Sequence, residues 1–339
     1  MSNPLVAIEQ MSYLIFMRRL EALDNINKQR ASATKQKFHS IFEGHDDCRW
    51  SNWKHMNATE MLKHVRDVVF PFIQNLNDGD DVLFSRYLKD ATFMILKPSL
   101  LQEAVEIFDK INITERAQDV QGDVYELLLS EIQIAGMNGQ FRTPRHIIKM
   151  IVELLDPKLG ETICDPACGT GGFLISAYEH IVRENTSKEL IEYDEDGNAH
   201  NLVGDKIAKK EHWSFLQNNS FYGFDFEYTM LRIGIMNMIL HGIRHPNITY
   251  ADSLSKRFDQ SKHYDVILAN PPFAGAVDRT DINDNFKLNT RDTELLFLEL
   301  FHNILKMGGR AGVIVPTGVS QVQARQIKKS EEPFLKNVS

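Results

Sequence analysis

The chain has 339 residues, 43% of them apolar and 25% charged, which is enough for two ordinary globular domains. A net charge of −8 and an isoelectric point near 5.9 argue against tight sequence-independent DNA binding by this chain alone, because that affinity comes from Lys and Arg neutralising phosphates. No run approaches the roughly 18 consecutive apolar residues of a membrane span, and the polar and acidic residues inside MSNPLVAIEQMSYLIFMRRL argue against a signal peptide.

From the amino terminus, PLVAIEQMSYLIFMRRLEAL carries apolar residues at near-helical spacing. GHDDCRWSNWKHMN lacks any period and reads as a loop. NATEMLKHVRDVVFPFIQNL opens with Asn57, Thr59 and Glu60, which suit a helix start, and PSLLQEAVEIFDKI opens on Pro98. DVYELLLSEIQIAGMNG reads as a further helix ending on Gly139. Residues 1–136 are therefore expected to form an all-helical domain.

From about residue 140 the texture changes. TPRHIIKMIVELLDP is a helix that Pro144 can start and Asp156-Pro157 can stop. Strand-like runs then follow at 161–165, 221–225, 247–252, 264–270 and 309–316. They alternate with helical patterns at 172–184, 228–241 and 293–306. This alternation predicts an α/β domain over 137–339 with a parallel sheet, whose ligands bind at the carboxyl ends of the strands. The polar segment NTSKELIEYDEDGNAHNLVGDKIAKKEH reads as an inserted loop, and its acidic run as solvated rather than metal-binding. Cys48, Cys164 and Cys168 are odd in number and show no metal-type pairing. They read as small buried residues in a reducing compartment, so the expected location is the cytoplasm.

Two stretches carry chemistry. In CDPACGTGGFLISAY, Asp165 closes a strand, and Gly169, Gly171 and Gly172 form a turn lean enough for backbone to press on a ligand. No Lys-Ser/Thr follows, and position 174 is Leu, so neither a P-loop nor a dinucleotide fingerprint is present. A lone turn of this kind reads equally well as a strand–helix connection. The polar strand ends that follow it, Asp225, Asp252 and Asn270, shift the balance toward a nucleoside ligand without a pyrophosphate. S-adenosylmethionine fits that description. In ILANPPFAG, the Asn270 side-chain oxygen and the Pro271 carbonyl are two acceptors for an exocyclic amino group. Pro272 stiffens the turn, and Phe273 offers a face to a base rotated out of the duplex. Methylation of cytosine N4, or of an RNA or protein amide, answers a similar electronic problem. C5-cytosine chemistry is disfavoured, since no cysteine lies near this turn.

DPACGTGGF and NPPF, in that order, resemble the motifs of amino-directed adenine-N6 DNA methyltransferases. GQFRTPR, GFDFEYTMLRIGIMNMILHGI, VILANPPF and ELLFLELFHNILKMGGRAGVIVP resemble the modification subunit of type I restriction–modification systems, over about residues 118 to 318. The resemblance implies a Rossmann-like S-adenosylmethionine-dependent methyltransferase sheet behind the helical domain. Gln140, Phe141, Arg142, Thr143, Pro144 and Arg145 would fold over the methionine end of the cofactor, Thr143 and Pro144 near its carboxylate. Arg142 departs from the aromatic residue common there. Asp165, Ala167, Gly169, Thr170, Gly171 and Gly172 would frame the amino-acid part, Asp225 the ribose, and Asp252 the adenine. Asn270, Pro271, Pro272 and Phe273 would take the target adenine, with no metal. Implied partners are DNA through a complex, a specificity subunit, a second copy of the chain and a restriction subunit. Beyond PTGV the sequence departs from the family, so the carboxyl-terminal strands are expected to be incomplete. The second reading is accordingly a truncated, non-catalytic cofactor-binding or assembly subunit.

Overall fold

The computed structural model describes residues 4–34, 37–76, 88, 90–110, 143–194, 197–243, 245–273 and 275–316. The helix expected over 123–139, residues 140–142 and everything after residue 316 lie outside them.

Helix α1, Pro4–Thr34, runs beyond the apolar stretch that announced it. Tyr13, Leu14, Ile15, Phe16 and Met17 are all buried, so at this level the helix is packed on every side. The segment expected to be a loop at 44–57 instead folds into a 3-10 turn, Asp46–Cys48, and a short helix α2, Trp50–Trp53. Trp50 and Trp53 lie one turn apart and both are buried, a pairing too short to register as a period. Helix α3, Ala58–His64, is capped by Asn57, whose side chain accepts from Glu60 N at 3.0 Å. It continues through a π-turn, Val65–Val69, into α4, Phe70–Gln74. Pro71 has no N–H for the α-register, and the widened turn just before it accommodates that loss. Helix α5 spans Pro98–Lys110.

The α/β part opens with α6, Arg145–Leu155, ended by Asp156 in the left-handed region. Strand β1 is Ile163–Asp165, and α7 is Gly172–Glu184. The expected insertion holds a two-residue hairpin, β2 (Glu192–Tyr193) with β3 (Ala199–His200), and ends in a helix the periodicity did not announce, α8, Lys210–Asn218. There follow β4, Phe221–Asp225, α9, Tyr228–Leu240, β5, Asn247–Tyr250, and β6, Tyr264–Ala269. Helix α10, Thr293–Ile304, leads into β7, Leu305–Val313, which starts earlier than expected because it carries a register shift opposite Tyr264–Val266.

The five long strands are parallel, in the order β5–β4–β1–β6–β7. The chain steps one way from β1 through β4 to β5, then returns to add β6 and β7 on the other side. The topological switch therefore lies between β1 and β6, the place where such sheets bind ligands. Alternation along the central strands feeds two cores. Ile163, Val266 and Leu268 face α6, α7 and α9, while Cys164, Ile267 and Ala269 face α10. Helix α9 is apolar nearly all round, because α1 packs along it on the side away from the sheet. An ion pair between Arg232 of α9 and Glu9 of α1 marks that contact, and Tyr13 Oη donates to the same Glu9 at 2.7 Å.

Candidate active site

The β1–β6 register sets Cys164 opposite Ile267, which leaves Asp165 and Asn270 at the same end of neighbouring strands. Between Asp165 and α7 the chain makes a tight turn with Gly169 at φ 51° and Gly171 at φ 77°, a conformation that favours glycine. Every side of this turn is tied down. Ala167 N donates to Asp165 Oδ1 at 3.0 Å, and Cys168 N to the Phe224 carbonyl at 3.0 Å. Gly169 N donates to Asp225 Oδ2 at 3.0 Å, Ser253 Oγ to the Pro166 carbonyl at 2.6 Å, and Asn237 Nδ2 of α9 to the Thr170 carbonyl at 2.9 Å.

Asn237, Ser253 and Gly234 carry no local signal that would have singled them out. Gly234 lets α9 approach the turn, since a Cβ there would lie 2.7 Å from the Gly169 carbonyl oxygen. Gly234→Ala should therefore displace the turn, destabilising the fold by about 1–3 kcal/mol. Urea denaturation checks this, and an unchanged midpoint would contradict the close packing.

The electrostatics are unusual. Asp165 is buried, and desolvation pushes its carboxyl up to about 8 against the opposing effect of the Ala167 N–H; the nearby Asp225 carboxylate raises it further. Burial also raises Asp225, although N–H groups of Glu227 and Gly169 bind its two oxygens. Two carboxyls, one buried and one half-buried, thus flank this turn, and among the described residues no cation is in hydrogen-bond contact with either. A cationic ligand suits that pair of carboxyls.

Asp252 is placed differently from expectation. Strand β5 stops at Tyr250, and Asp252 is exposed in the following turn, accepting from Leu254 N at 3.0 Å. Pro271 is buried, Pro272 exposed and Phe273 half-buried. Thr143, expected beside a cofactor carboxylate, is buried and accepts from Asn270 Nδ2 at 2.8 Å. Pro144 and Arg145 are exposed at the start of α6.

All three cysteines are buried and reduced. Among the described residues, one group could offer three metal ligands: His45, Asp47 and Cys48 hold their ligand atoms within 4.8 Å of one another. It sits on the helical part, away from the strand ends, and burial followed by Asp47 pushes the Cys48 thiol up to about 12. A cavity of about 250 Å³ between α6, α7 and the β2–β3 hairpin reaches Gly172 but none of the strand-end carboxylates. Its Arg183 is spent on Glu153 at 2.7 Å, and its His200 on Asp194 at 3.1 Å.

A parallel sheet with a glycine turn after β1, an acid ending β4 and a polar turn after β6 defines the Rossmann-like, S-adenosylmethionine-dependent methyltransferase class. Comparison with known proteins narrows this. Residues 116–330 match the N-6 DNA Methylase family and residues 1–108 the HsdM N-terminal domain, so the chain belongs to the N-6 DNA methylase family. It is 32% identical over 283 residues to the type I restriction enzyme EcoEI methylase subunit of Escherichia coli, covering 79% of this chain and 53% of that one. To the EcoKI methylase subunit of Escherichia coli strain K12 it is 27% identical over 319 residues, covering 91% and 55%. The chain thus spans about half the length of the curated relatives it matches. Among solved structures, a modification subunit of a putative type I restriction enzyme from Vibrio vulnificus YJ016 superposes with a TM-score of 0.73. Identity there is 24%, over 96% of this chain and 71% of that one.

Proposed function

We propose that the chain transfers a methyl group from S-adenosylmethionine to the N6 amino group of adenine in DNA, as the modification subunit of a type I restriction–modification complex. The observation that carries this reading is the meeting of two turns at one topological switch point, a glycine turn flanked by the buried Asp165 and the half-buried Asp225 and an Asn-Pro-Pro-Phe turn one strand away. The cofactor supplies an activated methyl group. The chain's own residues bind and orient. Asp165 and the turn from Ala167 to Gly172 face the cationic amino-acid end, and Asp225 accepts from ribose hydroxyls. Asp252 lies toward the adenine, and Gln140 to Arg145 close over the methionine end. The Asn270 amide oxygen and the Pro271 carbonyl accept from the target amino group, stabilising charge that develops on nitrogen, while Phe273 stacks on the flipped base.

The division of labour follows the charge. A net −8 chain suits a subunit whose DNA grip comes from a specificity subunit, with a second copy of this chain and a restriction subunit in the full assembly, acting in the cytoplasm. The helical domain is assigned to 1–136 and the methyltransferase domain to 137–339.

The test is methyl transfer from labelled cofactor to DNA, with and without a specificity subunit. Transfer that requires the partner is expected. Cofactor binding with no transfer, even in the complex, would favour the non-catalytic assembly reading. Asp225→Ala should weaken cofactor binding by about 10–100-fold in calorimetry, as for a lost hydrogen bond to a charged group. Unchanged affinity would remove Asp225 from the ribose site.

A further inference from the structure

We propose that the turn around Asp46–Cys48 is a zinc site, in which His45, Asp47 and Cys48 hold one Zn2+ and leave its fourth position to solvent. The three ligand atoms lie within 4.8 Å of one another. Zinc accepts sulfur, nitrogen and oxygen together, whereas calcium and magnesium take oxygen alone. A tetrahedral zinc with bonds of about 2.0–2.3 Å sets its ligands about 3.3–3.6 Å apart. Rotation of two exposed side chains, His45 and Asp47, closes the remaining gap, while the buried Cys48 stays in place. One ligand followed by others two and three residues later matches none of the paired-cysteine patterns by which zinc sites announce themselves in a sequence.

Two independent observations separate this group from an ordinary surface cluster. The first is that neither His45 nor Asp47 is spent on a polar group outside it. Asp46, next in sequence, is paired with Arg49 at 2.9 Å, and Arg49 also reaches Asp24 of α1 at 2.9 Å. Asp47 forms no salt bridge among the described residues, and the His45 ring makes no hydrogen bond there but packs on Phe72, the centroids 5.1 Å apart. The second is that the backbone of the turn is already fixed. Cys48 N donates to the His45 carbonyl at 2.9 Å and Asn52 Nδ2 to the Asp46 carbonyl at 2.6 Å. His64 Nε2 donates to the Asp47 carbonyl at 2.8 Å and Trp53 Nε1 to the Cys48 carbonyl at 3.3 Å. All the carbonyls from His45 to Cys48 are thus claimed, so a metal has only side chains to order. Burial and then the Asp47 carboxylate push the Cys48 thiol up, which keeps the proton on sulfur until a metal arrives. The Zn–S bond forms as that proton leaves to solvent, with no oxidant or reductant involved. The bound metal clamps the turn that Arg49 ties to α1, a role in the helical part that does not depend on methyl transfer.

The test uses the full chain, stripped of metal by dialysis against a chelator. It is titrated with Zn2+ in competition with a chromogenic chelator and, separately, with Co2+. One Zn2+ per chain is expected, with a Kd of about 1 μM or tighter, weaker than structural sites with four protein ligands. Co2+ should give a thiolate-to-metal charge-transfer band in the near ultraviolet. Cys48→Ser should abolish that band and weaken zinc by at least about 100-fold, beyond the range for losing an outer hydrogen-bonded partner of a ligand. His45→Ala, at an exposed position, should weaken zinc to a similar degree. Asp46→Asn removes a neighbouring charge but no ligand, and should leave Kd within about 3-fold of wild type. Saturating Zn2+ should raise the thermal unfolding midpoint of the wild-type chain and leave that of His45→Ala unchanged. Absence of zinc binding overturns the proposal, as does a cobalt band that persists in Cys48→Ser. An Asp46→Asn loss as large as that of His45→Ala also overturns it, since diffuse acidic attraction would then account for the binding. If Cys48→Ser fails to fold, His45→Ala decides, and wild-type zinc affinity in that variant overturns the site.

Discussion

Asn270→Ala is expected to slow methyl transfer by about 10²–10³-fold while leaving cofactor affinity within a few-fold of wild type. The magnitude is that of removing one preorganised partner of developing charge from a site closed to water. A nucleobase amino group is a poor nucleophile because its lone pair is delocalised into the ring. Acceptors on its N–H groups help only if they are in place before the reaction begins. Asn270 meets that condition. It follows the buried run Val266–Ala269 directly, its amide is tied to Thr143, and the proline after it is buried. Since the residue is proposed to act on the target amino group rather than on the cofactor, the defect should lie in kcat. Single-turnover transfer from labelled cofactor at saturation is the measurement. Undiminished transfer would remove Asn270 from the reaction.

The second large effect is one of pH. Asp165 has its carboxyl pushed up to about 8 in the folded chain, while in the unfolded chain it ionises near 3.9. Between those values the folded state holds a proton that the unfolded state does not. Stability contributed by the neutral acid is therefore complete below about pH 4 and is lost as pH rises toward 8. The slope approaches about 1.4 kcal/mol per pH unit. Asp165→Asn keeps the shape and the acceptor for Ala167 N but carries no charge at any pH. The ligand-free variant should match wild type near pH 4 and exceed it by a few kcal/mol at pH 7. Denaturant titrations of both proteins across that range test this, because their difference cancels the titrating groups that do not interact with Asp165. The same residue should link cofactor to protons. A cationic ligand favours the ionised carboxyl, so binding to wild type at pH 7 should release a proton, seen as a buffer-dependent enthalpy in calorimetry. Asp165→Asn should bind more weakly and release none. A pH-independent difference between the two proteins would contradict the burial argument.

Much of this architecture is legible in the sequence because it is written at short range. The α7 pattern at 172–184 and the β4 run at 221–225 match the folded elements to the residue, and the glycine turn and the Asn-Pro-Pro-Phe turn fall at strand ends as expected. What escaped is either too short or too distant. KEHWSFLQN is a helix of nine residues beginning inside a polar insertion, and only Leu216 of it is fully buried. Asn237 reaches Thr170 across 67 residues, Ser253 reaches Pro166 across 87, and Thr143 reaches Asn270 across 127. No periodicity encodes such contacts. Only the closed fold brings them together, and they are the ones that hold the proposed site in register.

The packing of α1 along α9 bears on how such chains can be recombined. The helix that props the glycine turn on one side receives the ion pair of Arg232 with the buried Glu9 and the flank of α1 on the other. A fragment reduced to the α/β part would present an apolar helix to water and leave Arg232 without its carboxylate. An exchange of helical domains between relatives would meet the same obstacle unless the matching face of α9 travelled with it. The unit of inheritance is therefore larger than the sheet that carries the motifs.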